Sequence, residues 1–323
     1  MRKVHLFVLL TFFSAATHAA ESHAGLRLVL ETDKAAYAPS EPIVLRYWVE
    51  NISQTVISVP GITAASHGWI KFEVAGQEGK FQPYRTGHQV CSTYTVTALK
   101  PGERLSSELI AVTNAYGAAA RSNLQFAGMK LFPFSEPGKY RIRATYPLAR
   151  SDSGETPPAL VSNTVEFTVR AASKDEEEAL RFFSSPEEYA AAVGGDEPVD
   201  DIPSALRHWE EFVEKYPNSV YTPAVRLHLG MLYLNGTGPP QPDPEHAVTH
   251  FRAVASGSRQ PLAGDALVEL AKSLIELGRF DDASATLRTF LEKFPDSERR
   301  TEAARLRDGL GKGLRSLREI YSN

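Results

Sequence analysis

A single cysteine, Cys91, in 323 residues leaves no partner for an internal disulfide and excludes a four-cysteine zinc site. Positive charge is scarce as well. Lys and Arg number 35 against 39 Asp and Glu, a net charge of −4 and a pI near 6.2. A nucleic-acid binder needs a basic face that releases counterions from phosphates, and this balance argues against one. No apolar run reaches the roughly twenty residues that a membrane-spanning helix needs. What is present is 42% hydrophobic and 23% charged, the composition of a folded globular chain. The length exceeds one ordinary domain and suits two.

The first twenty residues read as an address. Arg2 and Lys3 form a positive start, Val4 to Phe13 an apolar run, and Ser14 to Ala20 a stretch of mostly small residues. Thr17 and Ala19 stand at −3 and −1 of a small-residue cleavage site, so residues 1–19 are expected to be a secretory signal peptide. Ten apolar residues are too few to span a bilayer. No cysteine follows the run, which excludes the bacterial lipoprotein route. The mature chain is expected in a periplasm or outside the cell.

Residues 25–170 show the two-residue period of half-buried strands. Leu26, Leu28 and Leu30 alternate with Arg27, Val29 and Glu31. Strands are expected at 43–50, 56–59, 69–74, 105–112, 139–146 and 161–169, with turns at Pro101-Gly102 and Pro137-Gly138. The phrase Thr32-Asp33-Lys34 to Tyr37, then Ser40-Glu41-Pro42-Ile43 and a strand ending in Glu50-Asn51, resembles the opening of immunoglobulin-like modules of secreted bacterial proteins. Pro137-Gly138-Lys139-Tyr140 with Val161-Ser162-Asn163-Thr164-Val165 resembles their closing strands. The resemblance implies an all-β sandwich that serves as scaffold or binding domain. Tyr140 is either a corner tyrosine that caps a nearby backbone group or a core aromatic. Phe81 to Phe126 departs from clean alternation. Long insertions are often functional loops, so Tyr84, Arg85, His88 and Tyr94 are the candidate loop contact.

Residues 171–202 read as an acidic linker with a short helix. Asp175 to Glu178 suit a helix start, and Leu180, Phe182, Phe183, Tyr189 and Val193 give it an apolar face. The remaining charges suggest a solvated tether.

Residues 203–323 repeat. Ala205, Trp209 and Phe212 match Ala247, Phe251 and Val254, and again Ala283, Leu287 and Phe290, each set on one helical face. Phe212-Val213-Glu214-Lys215-Tyr216-Pro217-Asn218-Ser219 recurs as Phe290-Leu291-Glu292-Lys293-Phe294-Pro295-Asp296-Ser297. Gly264 to Ser297 is a 34-residue unit with Ala271, Ala283 and Pro295 at small-residue and proline positions. This resembles tetratricopeptide repeats of the type found in bacterial envelopes. Small residues let paired helices approach, and proline ends the second helix of a pair. Arg259 stands where the middle copy would have proline, and 301–320 reads as one capping helix. The resemblance implies a concave groove lined by Leu227, Met231, Leu234 and Asn235, then Val268, Lys272, Ile275 and Glu276. A protein segment, or residues 176–193 of this chain, is expected to fill it. A register shifted by one residue would instead make these positions core.

Catalytic motifs are missing. Gly309-Leu310-Gly311-Lys312-Gly313 lacks the spacing and hydroxyl of a phosphate loop, and no Gly-x-Ser-x-Gly occurs. His246 and His250 beside Glu245 are not in zincin order and read as exposed helix histidines. His88, Cys91 and His67 lack a fourth metal ligand. Neighbouring carboxylates such as Asp281-Asp282 do not converge on one bond. The expectation is a multidomain protein, an all-β immunoglobulin-like sandwich followed by an all-α tetratricopeptide domain. It acts without catalysis or cofactor as an adaptor for envelope or secreted proteins, the sandwich loops taking another partner or a glycan. Alternatives are an inhibitor or accessory factor of a secreted peptidase acting through Phe81–Tyr94 and, last, a loop-built hydrolase or metal enzyme.

Overall fold

Alternating side chains in the first half build two antiparallel-rich sheets over one core. The computed structural model describes residues 22–23, 25–61, 69–77, 79–85, 95–114, 129–148, 158–194, 199, 201–236, 241–257 and 260–322. The signal segment, His67, His88, Cys91, Tyr94 and the Gly117–Ala120 stretch lie outside these residues. One sheet runs in the order β1 (Ser22–His23), β2 (Leu26–Thr32), β4 (Ile43–Asn51), β9 (Arg104–Ala111). The other runs β3 (Ala36–Tyr37), β12 (Val165–Val169), β10 (Gly138–Pro147), β6 (Lys71–Gly76), β7 (Gln82–Tyr84), with β11 (Ala159–Val161) also on β10. β5 (Ile57–Pro60) and β8 (Val96–Leu99) form a separate ribbon. Leu28, Leu30, Leu45, Tyr47 and Val49 from the first sheet meet Phe72, Ile142, Ala144 and Phe167 from the second.

The motif phrases owe their form to specific bonds. Asn163 accepts from the Leu30 N–H at 2.9 Å and donates to its carbonyl at 2.8 Å, joining the sheets across buried space. That side-chain pairing, with Ser162 bonding Ala144 N–H at 2.8 Å, divides the expected strand 161–169 into β11 and β12. Asn51 donates to the carbonyls of Thr55 at 2.7 Å and Leu99 at 2.8 Å, fixing the ribbon to the end of β4. Tyr140 donates to Glu136 O at 2.9 Å while its ring packs on Phe134 and Phe167, so it is both corner and core residue.

The second half is helical: α1 (Lys174–Arg181), α2 (Pro186–Ala192), α3 (Ile202–Lys215), α4 (Thr222–Asn235), α5 (Pro244–Ala255), α6 (Gln260–Glu276), α7 (Phe280–Lys293), α8 (Arg300–Gly311) and α9 (Leu317–Ser322). From α3 to α8 each helix packs on the next. A β-carbon on Gly230 would come within 2.6 Å of the Phe251 ring, so glycine is what lets α4 and α5 approach. The repeated Tyr-Pro and Phe-Pro phrases close α3 and α7, whereas Pro261 sits in the first turn of α6, where its missing N–H costs nothing.

Three readings need correction. The linker carries two packed helices where one short helix was expected: Ser173 and Glu176 form a capping box at the start of α1, and Phe183, Tyr189 and Ala190 to Ala192 are buried against α3 and α4, while Asp196, Glu197 and Asp200 of the stretch read as a tether lie outside the described residues. Residues 176–193 therefore extend the helical stack at its start and do not fill its groove. The terminal segment 301–320 is two helices, because Gly313 takes a left-handed φ of 84° and Gly309 admits Ile320. His250 is 3% exposed, bonds Glu210 at 2.9 Å and stacks on Tyr233, unlike the exposed His246.

Candidate functional site

The region that joins the two halves is tied by polar groups of both, beginning with a knot in the opening phrase of the sheets. Tyr37 donates to Asp33 at 2.6 Å, Asp33 accepts from Val44 N–H at 3.1 Å, and the buried Glu41 pairs with Lys34 and accepts from Ala38 N–H at 2.8 Å. Ser40 is held at a φ of +56°, where a non-glycine residue is strained, by its N–H bond to Phe134 O at 2.9 Å. The knot turns two carbonyls toward the helices. Tyr189 of α2 donates to Ser40 O at 2.8 Å, and Tyr221 at the start of α4 donates to Pro39 O at 2.9 Å. Burial pushes the Tyr221 hydroxyl well above its ordinary range, so it stays a donor. Arg170 at the end of β12 forks onto Glu176 of α1, with one bond at 2.7 Å. That pairing holds the Glu176 carboxyl at about 2.

A second zone is apolar. Val44 of β4 is fully buried in one cluster with Leu227 of α4 and Val268 and Ile275 of α6, and Ile110 of β9 packs beside it. Val44 and Ile110 are register partners on one face of the first sheet. The third zone is charged. Ser107 of β9 donates to Glu298, and Arg46 of β4 meets Glu108 of β9 at 3.3 Å. On the helical side Arg299 contacts Asp265 at 3.6 Å, Glu302 at 2.9 Å and Glu269, and Lys272 bridges Glu269 at 3.0 Å and Glu302 at 2.6 Å.

The groove positions thus separate. Leu227, Val268 and Ile275 are core; Met231 and Leu234 pack at its edge; Lys272 is taken up by the ion network; Asn235 and Glu276 are exposed. Much of the apolar floor is covered, and the cover includes this chain's own sheet. Of the loop contacts, Tyr84 is 3% exposed and packs on Phe134 inside the sandwich, so it is no contact residue. Arg85 is half-buried, its N–H on Asn114 at 3.2 Å. His88 and Tyr94 lie outside the described residues, as do His67 and Cys91.

The covered sheet face has a sequence signal. Ile43-Val44-Leu45 and Leu109-Ile110-Ala111-Val112 are apolar at consecutive positions, the pattern of strands buried on both faces. Beside the junction lies an open cavity of about 730 Å³, lined among others by Leu131, Phe132, Leu180, Phe183, Pro186 and Tyr189. It sits between a sandwich loop and α1–α2, and its walls are mainly apolar. Among the described residues no group of His, Cys, Asp and Glu is arranged to hold a metal, and no helix is long and apolar enough to cross a membrane.

Against known proteins, the tetratricopeptide repeat family matches residues 265–297, which span most of α6, all of α7 and the Pro295 turn. No curated protein matches the chain. Solved structures are only distantly similar. A β-glucosidase from Erythrobacter marinus is 12% identical over 45% of this chain and 15% of its own, with a TM-score of 0.25. Spo0M, a sporulation control protein from Bacillus subtilis, is 9% identical over 50% of this chain and 55% of its own, with a TM-score of 0.24. The CARDB domain of PF1109 from Pyrococcus furiosus is 11% identical over 49% of this chain and 100% of its own, with a TM-score of 0.23. The chain thus spans less than two thirds of the first two. The match at 265–297 points to protein partners; scores this low carry no activity across.

Proposed function

We propose that this chain is a non-catalytic protein-binding adaptor of a bacterial cell envelope, exported by residues 1–19. An immunoglobulin-like sandwich and an envelope-type tetratricopeptide stack act in it as one body. The observation that carries the reading is that apolar residues of α4 and of the repeat match itself, Leu227, Val268 and Ile275, share one buried cluster with Val44 of the first sheet. Repeat helices present apolar faces because each pair leaves one apolar side for its neighbour and one for a guest. With that face occupied from within, the partner's place is the apolar cavity between the 129–135 loop and α1–α2, which suits an apolar side chain of an envelope or secreted protein.

The test has two arms. N-terminal sequencing of the exported chain is expected to begin at Ala20; an unprocessed cytoplasmic chain removes the envelope assignment. Partners captured from an envelope extract are then reconstituted with purified wild type and with Leu180→Glu, which places a charge in the cavity wall. The adaptor reading expects at least one purified partner whose binding is lost in the variant while its melting temperature is kept. A turnover activity in the purified wild type, or partners that bind both forms equally, overturns the reading.

A further inference from the structure

The sheet face that carries Val44 and Ile110 continues along β4 as three cross-strand rows. Glu31, Arg46 and Glu108 form one, Val29, Trp48 and Ser106 the next, and Arg27, Glu50 and Arg104 the third. The Phe294-Pro295-Asp296-Ser297 turn after α7 meets them at a cleft of about 500 Å³, lined on the sheet side by Arg46, Trp48 and Ser106. Arg104, Ser106 and Pro295 to Ser297 also line a hollow of about 660 Å³ that reaches Gly102 and Arg300. Small-ligand sites span roughly 300–1,000 Å³, and both volumes lie in that range. The cleft is balanced in charge, with Arg46, Arg104 and Lys293 against Glu31, Glu108 and Asp296. Arg46 meets Glu108 at 3.3 Å and Arg104 meets Glu50 at 3.3 Å, while Glu31, Lys293 and Asp296 make no ion pair among the described residues. A phosphate site needs surplus cations and a site for a basic peptide surplus carboxylates, and this wall supplies neither. It suits a neutral ligand whose groups both donate and accept, as hydroxyls do. Two donors here are unanswered: the Nε1–H of Trp48 and the Nε–H of Arg46 are buried without an acceptor. Buried donors are rarely left so. The Arg104 guanidinium lies 5.1 Å over the Trp48 ring, and its side chain is 48% exposed and bonded only to Glu50 among the described residues. It is a movable cover, and shifting it uncovers the indole.

We propose that this cleft binds a neutral oligosaccharide. A pyranose ring has an apolar C–H face and a rim of hydroxyls, which matches an indole ringed by planar charged groups. One ring rests on Trp48 once Arg104 swings aside, with Glu31, Arg46 and Asp296 placed for its hydroxyls, and the chain runs on toward Arg300. A peptide is the weaker fit, because peptide recognition takes buried apolar anchors and the cleft walls are mainly polar. The site is separate from the apolar cavity beside α1 and α2 and stands whether or not that cavity takes a partner.

Indole N–H signals in ¹H–¹⁵N spectra of the full chain read the site, since Trp48, Trp69 and Trp209 are its three tryptophans. Cellotriose, maltotriose and chitotriose are titrated in turn at millimolar concentration. At least one is expected to shift the Trp48 signal saturably while Trp69, whose N–H is held by Pro147 O, and the buried Trp209 stay in place. Trp48→Leu should abolish binding by calorimetry. Asp296→Ala, on the exposed turn, should weaken it by about tenfold at an unchanged melting temperature. If Trp48→Leu does not fold, the Asp296→Ala titration decides. No shift of the Trp48 signal with any of the three sugars, a shift confined to Trp69 or Trp209, or Asp296→Ala binding as wild type does, overturns the proposal. So does a Trp48 signal that moves with inorganic phosphate and not with sugar.

Discussion

In the sheets, Asn163 bonds to Leu30 across 133 residues of chain; in the stack, α3 to α8 each rest on the helix that follows. The first half is held by a few polar ties between distant segments, so losing one strands buried backbone groups in both sheets. The second half is held by many similar apolar contacts between neighbours, so damage stays near where it is made. The junction combines both modes, with tyrosine hydroxyls on backbone carbonyls around an apolar strip.

Substitutions separate these modes by size of effect. Phe251→Ala, fully buried beneath Gly230, should cost about 3–5 kcal/mol in urea unfolding, with exchange rising first in α4 to α6. A uniform rise through the sheets as well would show that the stack is not built from neighbour contacts. Asn163→Ala should cost about 3 kcal/mol, because the Leu30 N–H and carbonyl both lose a buried partner. Its exchange signature is expected in both sheets together; loosening confined to β12 would contradict the long-range tie. Glu176→Gln keeps an oxygen that can cap the Ser173 N–H but removes the charge of the Arg170 fork, worth about 1–2 kcal/mol near neutral pH. Since the Glu176 carboxyl is held at about 2, its contribution is full above the ordinary carboxylate range and fades as pH falls toward that value. The gap between wild type and variant in urea midpoints should therefore narrow with acid, and a constant gap would refute the ion-pair account. Tyr221→Phe, losing one bond to Pro39 O, should cost about 1 kcal/mol and loosen the junction without loosening either half. Limited proteolysis between β12 and α1 would register it.

Legibility in the sequence followed the same division. The helical pairs were readable because period and small-residue positions repeat: Ala205, Ala247 and Ala283 all lie on buried or half-buried faces of α3, α5 and α7. Most long strands were readable from alternation, with boundaries within two residues at β4, β6, β9 and β10. The short edge strand β7 was not, since Pro83 masks it and only Tyr84 is buried. Between the two halves one short helix was readable, from its acidic start and the apolar face with Phe183 and Tyr189; that Ser185 caps a second helix, α2, and that both pack on the stack was not. The groove was named from one half alone. What covers it was written in the other, where Val44 and Ile110 break the strand alternation, and one half's periodicity says nothing about the other half's faces.

The first half and the second meet where the face of the first sheet that carries Val44 and Ile110 packs against α4 and α6. Val44→Lys tests this contact most directly, read by exchange at α4 and α6 and by urea unfolding of the full chain. Val44 is fully buried beneath Leu227 and Val268, so a lysine there should cost several kcal/mol (about 3 or more) and expose both helices to exchange. Unchanged stability with unchanged protection of α4 and α6 would mean that this sheet face looks into water, and the account would fail.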